Sequence, residues 1–158
     1  MLGRIAGTAA TLISLISVTG SFPAYAQEAP SAYTRNCQMC HQSGAKGVPG
    51  LYPRLAGRAA KLAMHAEGRN FLLSATLYGQ TGKITVDGRT ISGLMPPFAR
   101  LKDEEIAAVL TYVSSLEADE DTDPFTAQEV AQARKQETNP SGVHALRQAL
   151  SKQGRVPR

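Results

Sequence analysis

The most regular run of hydrophobic and polar positions lies at 103–117. Ile106, Val109, Leu110 and Val113 recur at i, i+3, i+4 and i+7, a spacing that predicts an amphipathic helix with Tyr112 beside its apolar stripe. Asp103, Glu104 and Glu105 load the first turn, where negative charge suits the helix dipole. A second helical pattern covers 29–41. There Ala29, Tyr33 and Cys37 share one face, and Pro30 fits a first-turn position. A third covers 69–78, with Phe71, Leu72, Ala75 and Leu77 or Tyr78 apolar and Gly79 as the stop. At 83–92 the period changes from helical to alternating about Asp87-Gly88, the signal of a two-residue β-hairpin.

Two stretches between these elements have no period. Residues 42–57 hold Gly44, Gly47, Pro49, Gly50, Pro53 and Gly57, which predict a loop wrapping something, because Gly and Pro set tight backbone without bulk. Gly93-Leu94-Met95-Pro96-Pro97-Phe98 is the other. Its two prolines forbid helix after Met95 and brace a loop that presents one thioether.

Beyond Leu116 the pattern weakens. Residues 117–123 read as an acidic linker, and Thr126-Ala127-Gln128-Glu129 as a capping box opening a short helix to about residue 136. Asn139-Pro140-Ser141-Gly142 breaks it. Val143, Leu146 and Leu150 predict one more short helix, and 153–158 should fray. Helices this short are marginal alone in water. The first is therefore expected to pack back on the preceding domain, with Phe125 and Val130 inward and the last ten residues mobile.

The N-terminus has its own pattern: Arg4, an apolar run from Ile5 to Val18, then Ala24-Tyr25-Ala26. This is a secretory signal with a cleavage site after Ala26. The run is short of the ~20 residues that span a bilayer, and no later segment could cross one. The expected organisation is a signal peptide at 1–26, one domain at 27–118 and an extension with two short helices at 119–158. The product is expected to be exported, with the periplasm as its destination.

Composition narrows the function. Without the signal the chain carries 16 Lys/Arg against 13 Asp/Glu, a net of +3, too mild for nucleic acid binding and without a basic helix. Aromatic residues are 6% and Trp is absent, a small supply for a self-sufficient core. Lys46, Arg54, Arg58 and Lys61 meet no acid before Glu67. They are either a solvated surface or a docking face for an acidic partner. No carboxylate pair, nucleophile elbow or phosphate loop points to an enzyme.

The candidate chemistry sits in Cys37-Gln38-Met39-Cys40-His41. C-x-x-C-H is the covalent haem attachment pattern. On a helical turn the two thiols and the imidazole project from one face, so the thiols can add to the two porphyrin vinyls and His41 can reach the iron. The rivals fit less well. Structural zinc wants four ligands, and the chain has two Cys and three His, with no ligand spacing around His65 or His144. A thioredoxin-type pair wants a βαβ setting. A disulfide between residues three apart in a helix is strained. For the second axial position the braced Met95 is the candidate, since His/Met ligation is a known haem pattern. Met64 and His65 are the fallback, and Met39 is held on the attachment turn.

On these motifs the chain resembles class I c-type cytochromes over roughly 29–116, through the attachment motif, Pro53-Arg54-Leu55-Ala56-Gly57, Gly93-Leu94-Met95-Pro96-Pro97 and the helix ending at Val113. The resemblance implies an all-α, cytochrome c-like fold around one covalent haem c, here with a small β-hairpin and a C-terminal helical extension. It implies that Pro53 offers its carbonyl to the ring N–H of His41, the proximal iron ligand. Met95 would then be the distal ligand and Cys37 and Cys40 the thioether donors. Ala29 and Tyr33 on the first helix would cross Val109 and Tyr112 on the last. The hairpin and tail look like those of cytochromes that serve periplasmic quinoprotein dehydrogenases. The expected function is an exported electron carrier of a respiratory chain. It would stand between such a dehydrogenase and a terminal oxidase or membrane cytochrome complex. The alternatives are a tightly bound subunit of a dehydrogenase complex, and a haem enzyme or sensor with an open iron site.

Overall fold

A computed structural model describes residues 28–157. The signal segment and its cleavage site fall outside the described residues. Helix α1 (Ser31–Asn36) and the single turn α2 (Gln38–His41) meet at Cys37, followed by a 3-10 turn at Ser43–Ala45. Helices α3 (Arg58–Ala63) and α4 (Ala66–Tyr78) lead into strands β1 (Gln80–Val86) and β2 (Arg89–Met95). Helices α5 (Asp103–Ser115), α6 (Ala127–Ala133) and α7 (Pro140–Lys152) complete the chain. The fold is helical with one small antiparallel hairpin, as the periodicities predict.

One expected helix at 29–41 is two. Cys37 at φ −114° bends the axis, but its N–H still donates to Tyr33 O at 2.8 Å and its carbonyl accepts from His41 N at 2.8 Å. Hydrogen bonding is therefore continuous through the bend. Helix α3 has no counterpart in the sequence reading. It is six residues long, too short for a period to show, and Arg58-Ala-Ala-Lys-Leu-Ala reveals itself only through helix propensity. The hairpin pairs Val86 with Arg89 across Asp87 and Gly88, whose φ values of 50° and 73° are those of a primed turn. It is longer than the alternation predicts and takes in Gly93, Leu94 and Met95, so these residues are strand rather than loop.

The core begins where α1 crosses α5. Tyr33 and Tyr112 meet edge to face with ring centroids 5.0 Å apart. Ile106, Val109, Leu110 and Val113 are all buried, as their stripe requires. The cluster continues through α3 and α4 into the extension without a break. Phe125 and Val130 do face inward, and Val143 and Leu150 of α7 join them. Asn139 does not only end the previous segment. Its Oδ1 accepts from Ser141 N at 3.1 Å and Gly142 N at 3.0 Å, and Pro140 follows at the first helical position, so Asn139 starts α7. The tail is docked rather than frayed: Val156 is buried and Arg155 pairs with Glu67 at 2.6 Å.

Candidate functional site: the attachment turn and its surroundings

The site is built on α2. With Cys37, Cys40 and His41 on one turn, their side chains share a face. Both thiols are free and half-buried. Burial, and secondarily the neighbouring Cys40, pushes the Cys37 thiol up to about 11. At neutral pH it is a thiol rather than a thiolate, which makes it a poor standing metal ligand.

His41 is buried, and its Nδ1 lies 2.9 Å from Pro53 O. A carbonyl can only accept, so Nδ1 carries the proton and Nε2 keeps its lone pair. Burial lowers the imidazole pKa, against an opposing pull from the Pro53 bond, so the ring is neutral. A neutral, oriented imidazole with one nitrogen donating to a carbonyl is the form that binds a metal.

The loop of 42–57 exists to bring Pro53 to that place. Gly47 N donates to His41 O at 2.8 Å, and Leu55 N donates to Ala45 O at 2.8 Å, which folds the loop back on the turn. Gly47 has φ +64°, and a Cβ there would stand 2.6 Å from the backbone of Tyr52, Pro53 and Arg54. Only glycine permits this approach. Tyr33 secures the other side by donating its hydroxyl to Gln42 O at 2.7 Å, and burial raises its pKa strongly. The sequence reading assigned Tyr33 only a packing role. Its place on the face of Cys37 is the signal that could have extended it.

Met95 ends β2, half-buried, paired with Gln80 across the hairpin. Gly79, at φ +76°, comes so close that a Cβ would meet Met95 O at 2.4 Å. This contact and the following Pro96-Pro97 fix the Met95 backbone. Pro53 is thus brought to His41 and the two cysteines, while Met95 stands on a separate element. Met39 is 85% exposed and Met64 49%, and His65 is exposed at the start of α4, so none is held as Met95 is. His144 lies on α7 against Gly82 of β1, with Gln148 Nε2 3.0 Å from its Nε2.

The basic stretch comes out differently from a docking face. Arg54 bonds Asp87 at 3.0 Å and Glu117 at 3.1 Å, and Arg58 is buried against Asp87 at 2.9 Å. Lys61 lies 3.5 Å from Asp119. These cations are neutralised within the chain by acids that lie far along the sequence, which removes most of their long-range pull on a partner.

The donor set fits haem c: two free thiols and a neutral, carbonyl-oriented imidazole on one helical turn. Among the described residues no helix is long and apolar enough to cross a membrane. The Cytochrome c family matches residues 26–117. A cytochrome c-552 of Thermus thermophilus is 38% identical over 144 residues, covering 89% of this chain and 96% of that protein. A second cytochrome c-552 from Thermus thermophilus is 42% identical over 118 residues, 72% of this chain and 90% of that protein. The attachment turn therefore has its explanation in kinship as well as in chemistry: this chain belongs to the cytochrome c family, as a class I, one-haem electron carrier with covalent haem c.

Proposed function

We propose that His41 and Met95 are the two axial ligands to the iron, that Cys37 and Cys40 hold the porphyrin through thioethers, and that Pro53 sets the His41 ring. The observation that carries this reading is the 2.9 Å contact from His41 Nδ1 to Pro53 O. It leaves Nε2 as the only basic nitrogen of a buried ring. Bound in this setting, the iron supplies a one-electron ferric/ferrous couple, whose potential a thioether ligand raises. The chain's own part is to hold two ligands still in both oxidation states, so that little rearrangement accompanies the electron. The continuous bonding through Cys37, the Gly47 approach and the Gly79–Met95 contact all serve that stiffness.

The carrier is exported to the periplasm, with Gln27 as its first mature residue. It works between a periplasmic dehydrogenase, of the quinoprotein type that its hairpin and tail resemble, and a terminal oxidase or membrane cytochrome complex. The haem domain is 27–118, and 119–158 is an accessory extension packed upon it.

Met95→Ala tests the ligand set. The variant should bind cyanide readily, bind carbon monoxide when reduced, and show a lower potential. Ferric absorption unchanged from the parent would assign the position to Met64 or His65 instead. Acid-acetone extraction should leave the colour on the polypeptide, and its mass should equal a chain from Gln27 plus one haem. Colour in the organic layer would remove Cys37 and Cys40 from their roles.

A further inference from the structure

The segment after Met95 is held from an unexpected direction. Met95 leads through Pro96 and Pro97 into residues 98–102, which return the chain to α5. Prolines carry no N–H, so the start of this segment can donate nothing to hold itself in place. It is fastened from outside at three points. Phe98 N donates to Thr76 O of α4 at 2.9 Å, with the Phe98 ring buried. Arg100 donates to Asn36 Oδ1 of α1 at 2.9 Å. The third point is Arg134, just past α6 in the extension. Its Nη1 donates to Ala99 O at 2.7 Å, its Nη2 to Leu101 O at 2.6 Å, and its Nε to Asp103 Oδ1 at 2.6 Å.

Arg134 thus uses all three nitrogens of one planar fork on a run of five residues. It locks the C-terminal side of the Met95 segment to the first residue of α5. The fork is about 30% exposed, and Asp103 28%, so the cluster is partly shielded from competing water. Lysine could not reproduce it, because an ammonium is a single point of charge without a fixed fork. The end of α6 and Arg134 just after it are themselves held, since Tyr78 donates its hydroxyl to the carbonyls of Ala133 at 3.0 Å and Arg134 at 3.1 Å. Tyr78 is the last residue of α4, next to the Gly79 that meets Met95. Both ends of the ligand segment therefore trace to one frame, made by the end of α4 and by Arg134.

We propose that Arg134 is a positioning residue for the distal ligand: it restrains the segment that carries Met95 and so suppresses departure of the thioether from the iron. The idea rests on the assignment of Met95 as ligand. It gives the extension a role beyond stability, although Arg134 lies outside the residues 26–117 that match the family. An external ligand can bind ferric iron only in molecules whose thioether has left. Its apparent affinity therefore scales with the fraction in that open state.

The test is equilibrium binding of imidazole to the ferric holoprotein, followed through the main haem absorption band in every variant and, where a thioether is bound, through loss of the weak far-red band. Arg134→Ala should raise the imidazole affinity tenfold or more, equivalent to about 1.4 kcal/mol. Arg134→Lys keeps the charge and loses the fork, and should raise it at least threefold. That variant also serves if Arg134→Ala does not mature. Leu150→Ala is the control, a cavity in the extension core away from the segment: it should lower the melting temperature and leave the imidazole affinity within twofold. Parental affinity in both Arg134 variants overturns the proposal, as does an equal rise in Leu150→Ala, which would mean general loosening. Met95→Ala separates the two readings. If it binds imidazole no better than the parent, the ligand assignment itself has failed. If it binds far more tightly while the Arg134 variants match the parent, only the role of Arg134 has.

Discussion

The α1–α5 crossing and the seat of the extension are two joints of the same core made in different ways. At the crossing, Tyr33 and Tyr112 meet edge to face, Ala32 of α1 is buried in the same core, and one hydroxyl bond reaches Gln42 O. The extension also buries apolar anchors, Phe125, Val130, Val143 and Leu150. Between them it is stapled by arginines. Arg69 donates to Asp123 O at 2.9 Å, Pro124 O at 3.1 Å and Glu129 at 2.9 Å, and its guanidinium stacks on the Phe125 ring at 3.9 Å. Arg58 donates to Pro157 O, and Arg147 donates to Thr85 O at 3.1 Å. A sequence segment too poor in apolar residues for a core of its own is attached by arginines that donate to carbonyls across the seam, Arg69 and Arg58 to those of the extension and Arg147 from the extension to Thr85 O. Such attachment depends on ionic strength, and the aromatic crossing does not.

The hardest way to break this contrast is to remove the extension. A chain ending at Ala118 should still take up haem with the same axial ligands but melt lower by about 10 °C or more, since several buried side chains of about 1.5–3 kcal/mol each lose their cover. An unchanged melting temperature would show that the seat contributes nothing, and failure to mature would make it part of the haem fold. Arg69→Ala is the next step down. It should cost about 2 kcal/mol at low salt, because several charge-assisted bonds go at once, and the loss should shrink in concentrated salt. A loss indifferent to salt would assign the role of Arg69 to packing alone. Tyr33→Phe sharpens the other side. Deleting the hydroxyl bond to Gln42 O should cost about 1 kcal/mol, equally at low and high salt. The smallest effect concerns Asp87 at the hairpin turn. Hydrogen bonding from Arg54, with the added charge of Arg58, holds its carboxyl below the usual aspartate range. A depressed folded-state pKa contributes stability above the unfolded value, and that stability is lost as pH falls through the folded value. Above about pH 4, the ordinary aspartate range, Asp87→Asn should be the less stable protein; as pH falls below it the parent should lose this increment and the two stability curves should converge.

The basic stretch shows where sequence reading stops. From Lys46 to Lys61 no acid is near along the chain, so the cations look available. Asp87 lies 33 residues from Arg54 and Glu117 63 residues from it, and both are at bonding distance in the fold. Nothing local announces such a pair. The capping box at Thr126 is the opposite case. Its partners are three residues apart, and the structure shows both reciprocal bonds, Thr126 N to Glu129 Oε2 at 2.9 Å and Glu129 N to Thr126 Oγ1 at 3.2 Å. Helix α3 was hidden for a different reason: six residues give no period, and packing against α4 makes it helical. Gly68 of α4 is the mark of that packing, since a Cβ there would strike Leu62 O at 2.0 Å.

The sequence by itself determined what short range dictates. It set the apolar stripe of α5, the shared face of Cys37, Cys40 and His41, the primed turn at Asp87-Gly88 and the proline brace after Met95. Each is a matter of backbone period or of neighbours within about four residues. The tertiary structure alone decided which cations are neutralised, that Gly47 lets Pro53 reach His41, that the last residues dock through Val156, and that Arg134 holds the segment behind Met95. Those contacts join residues far apart along the chain. Closing such loops costs entropy that no single pair repays, so they form only once the common core has brought the elements together.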